Sequence, residues 1–136
     1  MASEQTANFG LNQWAAEDRV MRTEFNADNA KIDAALGAIP KIVTGTYTGD
    51  GTETRFIDLG FTPKALYVSS QEGMPYSSSG SCHYGGLALQ NAPVTISSYT
   101  VLKLEETGFW VYYKRTDYYF ILTNNEGKVY YYVAIG

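Results

Sequence analysis

Three groups of residues in this chain have the types that chemistry uses. Cys82 and His83 are the only cysteine and the only histidine, and they are neighbours. A nucleophilic dyad needs thiol and imidazole in hydrogen-bond contact. In extended backbone, adjacent side chains point to opposite sides, so this adjacency argues against a dyad. Glu105 and Glu106 have the type of an acid/base carboxylate pair. They too are adjacent, and Thr107-Gly108 follows as a turn, so a solvated hairpin end is the plainer reading. Gly49-Asp50-Gly51 and Gly85-Gly86 lack the following Lys and helix start of a phosphate loop. No enzymatic constellation is left, and the expectation is a protein that is not an enzyme. One histidine and one cysteine also rule out a Cys-based zinc site within one chain, and no metal or cofactor is expected. Copies of His83 meeting on the axis of a symmetric oligomer are the one arrangement that would change this.

The tyrosines remain. All twelve lie after Pro40. Tyr112-Tyr113, Tyr118-Tyr119 and Tyr130-Tyr131-Tyr132 are adjacent runs, so on strands alternate rings face core and surface. Outward rings suit sugar stacking or subunit contacts, and Tyr is also an ordinary residue of half-buried strands. Three readings stay open: subunit interface, ligand surface, plain β surface. The longest connection, Gln71 to Gly86, is rich in Ser and Gly and holds Tyr76, His83 and Tyr84. Long loops in compact domains tend to carry function or mobility. Tyr76, His83 and Tyr84 are therefore the leading ligand-contact candidates. Arg115, Asp117 and Tyr118, in a short turn between strands, come next.

The elements that would position these residues divide at Pro40. After it the hydrophobic period is 2. Strands are expected at Ile42–Thr48, Thr54–Leu59, Lys64–Ser70, Leu87–Gln90, Tyr99–Glu105, Phe109–Lys114, Tyr118–Thr123 and Lys128–Ile135. Gly49-Asp50-Gly51 reads as the turn of a hairpin joining the first two. Short strands at regular spacing with Gly and Asn turns predict an antiparallel sandwich or barrel over residues 41–136. There is no strand–helix alternation, which excludes a doubly wound fold.

Before Pro40 the period changes to a helical one. Leu11, Trp14, Met21, Phe25, Ile32, Leu36 and Ile39 are spaced by three, four or their sums. This stripe, with a period close to 3.5, predicts a coiled-coil stalk over about residues 11–37 within a helical segment 1–40. Asn12 is placed to cap it, and Gly37 and Pro40 to end it. Asp18 and Asp28 (or Asn29) fall on the stripe as polar interruptions. The helix either packs on its own β domain or self-associates, and the narrow stripe favours a homo-oligomer.

Ten basic against fourteen acidic residues give a net charge of −4. No basic run offers a footprint for nucleic acid or anionic lipid. The first residues have no basic and apolar signal-peptide regions, and no apolar run approaches membrane-spanning length. The expectation is a soluble chain with no nucleic-acid partner and no membrane insertion.

Several segments resemble phage tail-fibre and receptor-binding proteins, particularly those of Gram-positive hosts. Leu-Asn-Gln-Trp-Ala-Ala-Glu-Asp-Arg-Val-Met-Arg-Thr-Glu-Phe-Asn-Ala-Asp-Asn-Ala-Lys-Ile-Asp-Ala-Ala-Leu, from Leu11 to Leu36, is similar to a segment that precedes such tips. Gly45-Thr-Tyr-Thr-Gly-Asp-Gly51 and Ile57-Asp-Leu-Gly-Phe-Thr-Pro-Lys-Ala-Leu-Tyr-Val68 resemble the start of their distal β domain. Gly85-Gly-Leu-Ala-Leu89 and Tyr130-Tyr-Tyr-Val-Ala-Ile-Gly136 resemble its later strands. The Gly-Phe-Thr-Pro-Lys-Ala pattern is similar to H-type lectin domains. The resemblance implies a homotrimer on the virion tail, with a three-helix stalk and β-sandwich tips. It also implies contact with other tail proteins and binding to a bacterial surface glycan or wall polymer. A structural trimerisation or adaptor cap with no ligand of its own is the alternative.

Overall fold

The computed structural model describes all 136 residues. The chain is mainly β with one α-helix, and it divides into two compact units, Met1–Ile39 and Pro40–Gly136.

In the first unit, β1 (Glu4–Gln5) and β2 (Asn12–Gln13) form a small antiparallel hairpin ahead of α1 (Arg22–Gly37). The expected helix over 11–37 is therefore too long. Leu11 and Trp14 lie in or beside the hairpin, and Asn12 is not a helix cap: Met21 occupies that position, with no side-chain capping bond. Carboxylates explain the late start of the helix. Asp18 accepts from the Ser3 hydroxyl (2.6 Å), the Ser3 amide (3.0 Å) and the Ala15 amide (2.8 Å). Such local side-chain bonds offer the backbone an alternative to the helix. The Ser3 hydroxyl first, then the Ala15 amide, hold the Asp18 carboxyl below the usual range. Glu24 accepts from the Ala2 amide (3.0 Å) and the Trp14 indole (3.1 Å). Asp28 is buried and accepts from both the amide (2.9 Å) and the side chain (3.0 Å) of Asn12. Of the two polar breaks on the stripe, Asp28 holds the hairpin on the helix, and Asp18 ties the Ser3 and Ala15 segments together ahead of it. Phe9, Leu11, Ile32, Leu36 and Ile39 line an open apolar groove of about 320 Å³ within this unit. Phe25, Ile32, Leu36 and Ile39 stay exposed.

The second unit contains β3 (Ile42–Thr48), β4 (Thr54–Asp58), β5 (Ala65–Ser70), β6 (Tyr76–Ser77), β7 (Cys82–His83), β8 (Gly86–Leu89), β9 (Val94–Ile96), β10 (Tyr99–Glu105), β11 (Gly108–Arg115), β12 (Phe120–Leu122) and β13 (Val129–Ile135). One sheet has the order β3-β13-β5-β8. The other runs β6-β7-β12-β11-β10-β9, with β4 also on β11. Leu66, Val68, Ala88, Tyr130 and Ala134 of the first sheet pack with Leu102, Leu104, Phe109 and Val111 of the second in one core. The eight expected strands are present with shifted ends, and β6, β7 and β9 are additional.

Two features depart from the antiparallel hairpin reading. β7 and β12 pair in parallel. β3 and β4 do not form a hairpin: β3 pairs with β13 and β4 with β11, so Gly49–Gly51 is a corner between sheets. Asn124 holds that corner. Its side chain donates to Asp50 (2.6 Å) and the Thr52 carbonyl (3.0 Å), and its carbonyl receives the Gly51 amide (2.9 Å). The Thr52 hydroxyl and amide, then Asn124, lower the Asp50 carboxyl to about 2.

Candidate functional site

The segment expected to be a long loop is partly strand, and its pairing decides where the candidate residues go. Gly73, at φ 81°, turns the chain after β5, and its amide donates to the Ser70 carbonyl. That conformation costs glycine nothing. β6 and β7 then form a short hairpin with Tyr76 opposite His83 and Ser77 opposite Cys82. β12 extends it: Phe120 stands opposite Cys82 and Ile121 opposite His83. β11 continues the row, with Lys114 opposite Ile121 and Arg115 opposite Phe120.

Residues opposite one another on paired strands share a face. Tyr76, His83, Ile121 and Lys114 therefore form one row on one face. Ser77, Cys82, Phe120 and Arg115 form the next row on the other. In the first row the rings of Tyr76 and His83 lie 4.9 Å apart. Partial burial lowers the His83 pKa, so this imidazole is neutral at pH 7. Lys114 Nζ sits 5.0 Å over the ring of Tyr99. Beside it Glu53, Thr54, Tyr99, Tyr112, Lys114 and Ile121 line an open groove of about 220 Å³. Burial raises the Tyr112 pKa, so its phenol stays a hydrogen-bond donor at neutral pH.

The other candidates lie elsewhere. The Arg115 guanidinium covers the Phe120 ring at 5.3 Å, and its Nε donates to the Tyr113 hydroxyl at 2.9 Å. Tyr84 is half-buried against the core, and Lys128 Nζ lies 4.7 Å over its ring. Burial, then the Cys82 thiol, raises its pKa. Asp117 and Tyr118 occupy the β11–β12 turn, where the Thr116 hydroxyl accepts the Tyr119 amide at 2.9 Å. Tyr118 is 79% exposed there. The structure thus joins Tyr76 with His83 and places Arg115 and Tyr84 against other side chains.

Tyr99, Tyr112 and Lys114 were missed as site residues. Alternation did mark two of them: with Phe109 and Val111 inward, Tyr112 and Lys114 must face outward. Tyr99 was hidden by a register shift in β10 between Thr100 and Leu102.

No family model, curated protein or solved structure matches the chain. The groove is read from its own residues. It offers aromatic faces, one ammonium, one carboxylate and a phenol donor on an open surface. That set can stack on and hydrogen-bond a polyhydroxylated ligand. No nucleophile stands beside a base in it.

Proposed function

We propose that this chain is the tip of a phage or phage-tail-like fibre, homotrimeric, that binds a bacterial surface glycan or wall polymer. The observation that carries the reading is the row Tyr76–His83–Ile121–Lys114 beside the Tyr99–Tyr112 groove. It is an aromatic surface with few charges, Ile121 being buried within it, and it suits a polymer that must pass across it. The sequence resemblance supplies the context. Three weak sites on one trimer, all facing one cell, would bind far more tightly than one.

The test is sedimentation with host cells and with purified wall polymer. Tyr76→Ala/His83→Ala and Tyr99→Ala/Tyr112→Ala should each lose most of the binding while keeping the folded spectrum. Binding unchanged in both variants would remove the assignment.

The second reading is an adaptor cap that binds no cells. The apolar outer face of the four-stranded sheet favours it, since such a face serves assembly. Absence of wild-type binding to any host cell or wall polymer would select it.

A further inference from the structure

The four-stranded sheet has a second face that the core does not use. Its registers place Ile42, Ile135, Ala65 and Leu89 in one row. Thr44, Val133, Tyr67 and Leu87 form the next row, and Thr46, Tyr131 and Ser69 the third. None of these residues is charged. Ile42, Tyr67, Leu87, Leu89, Tyr131, Val133 and Ile135 are 38–64% exposed.

Strand β13 shows the pattern most plainly. Tyr130 and Ala134 face the core, while Tyr131, Val133 and Ile135 face away from it. A sheet with one wet face reads apolar-in and polar-out, and strands apolar on both faces belong to sheets covered on both.

We infer that this face packs against the same face of the other copies of this chain around the oligomer axis. Area is the first argument. At about 200 Å² for a large side chain, half-open on average, the seven residues leave about 700 Å² uncovered. Each copy then buries about 700 Å² on this face, close to the ~800 Å² per partner of a standard interface. Charge is the second. The chain carries −4, so copies repel across most of their surface. A face without charged residues meets its own copy with no like charges opposed.

The inference rests on the homo-oligomeric part of the proposed function, and its test separates the two. Sedimentation velocity on the full chain gives the assembly state. Oxidative labelling of Tyr67 and Tyr131 across a dilution series then reports the face itself. The expected result is an oligomer in which both tyrosines are protected, with protection lost on dilution. A Leu87→Lys/Thr44→Lys variant should associate on the order of 100-fold more weakly, because like charges then meet across the contact. Both sites are exposed, so its circular dichroism should match the wild type. If that variant misfolds, the wild-type labelling still decides. An oligomer with freely labelled Tyr67 and Tyr131 overturns the face and leaves oligomerisation standing. A monomer at every concentration overturns both, and cell binding is scored separately.

Discussion

Tyr47 and Tyr130 stand opposite each other in the β3–β13 ladder, their rings stacked with centroids 4.9 Å apart and planes 15° apart. Their hydroxyls leave the first sheet and reach the second. Tyr47 donates to the Thr123 carbonyl at 2.7 Å, and Tyr130 donates to the adjacent Leu122 carbonyl. The Tyr130 oxygen also accepts the Asn125 amide at 3.2 Å. Two stacked phenols thus tie the core of one sheet to the end of β12. Tyr47→Phe and Tyr130→Phe should each cost about 1–3 kcal/mol, since each leaves a carbonyl without its partner. Urea unfolding should show a lower midpoint with an unchanged slope. The double variant should fall short of the sum, because the two rings share neighbours.

The same pair makes the fold sensitive to alkali. Burial raises the Tyr47 pKa, and it pushes Tyr130 from 10.0 up to about 12. A raised folded-state pKa means that the native protein holds the phenol proton more tightly than the unfolded chain. The stabilisation is complete below pH 10 and is lost as pH rises from 10 through 12. Urea midpoints should be flat on approach to pH 10 and then fall. Tyr47→Phe/Tyr130→Phe should fall less steeply over that window. A slope equal to the wild type would show that other groups control alkaline unfolding.

Period-2 patterning made the strands legible, and the Pro40 boundary was legible as a change of period. Partners were less so. Gly49–Gly51 has the residues of a hairpin turn, yet Asn124, far off in sequence, converts it into a corner. The helix was overextended because Leu11 and Trp14 happen to continue its spacing. What decides there is the set of bonds from Ser3, Asn12 and Trp14 to Asp18, Asp28 and Glu24. Apolar periodicity has no access to such polar bonds. In the site, loop composition pointed to Tyr76 and His83, and the register of β6, β7 and β12 joins them to Lys114. Loop composition alone could not separate Tyr84, which turns inward.

Asp28 gives a direct test of the first unit. It is the one buried residue of α1 and receives two donors from Asn12. Asp28→Ala should release the hairpin from the helix, at a cost of about 1–3 kcal/mol to that contact. Hydrogen exchange at the Asn12 amide should speed up by a matching factor, while the amides of β13 stay protected. Slow exchange at Asn12 in the variant would show that apolar packing alone holds the hairpin.

Gly85 tests how the site segment is anchored. A Cβ added there would lie inside van der Waals contact with the carbonyl of Val68, a backbone atom of the central β5. No side chain can swing away to make room. Gly85→Ala should therefore cost about 1–3 kcal/mol or more, as overpacking does. The strain should fall on the β6–β7 hairpin, so polymer binding should drop further than global stability. Equal loss in both would mean that the hairpin moves with the core as one unit.

Thr123 links the core to the groove most closely. The Tyr112 amide donates to its hydroxyl at 2.7 Å, and the hydroxyl donates to the Val101 carbonyl at 2.9 Å. It bridges β10 and β11 beside the point where the β9–β10 register shifts. Thr123→Val keeps the shape and removes the oxygen, so no cavity forms and only the bonds are lost. With a buried donor and a buried acceptor both unpaired, the expected cost is about 2–4 kcal/mol. Tyr112 and Tyr99 flank the bulge and line the groove. Their ring positions should therefore shift, and binding should weaken even at temperatures where the variant is fully folded. Thr123→Ser, which keeps the oxygen, should recover both properties. Failure of that rescue would assign the effect to the lost methyl and its packing.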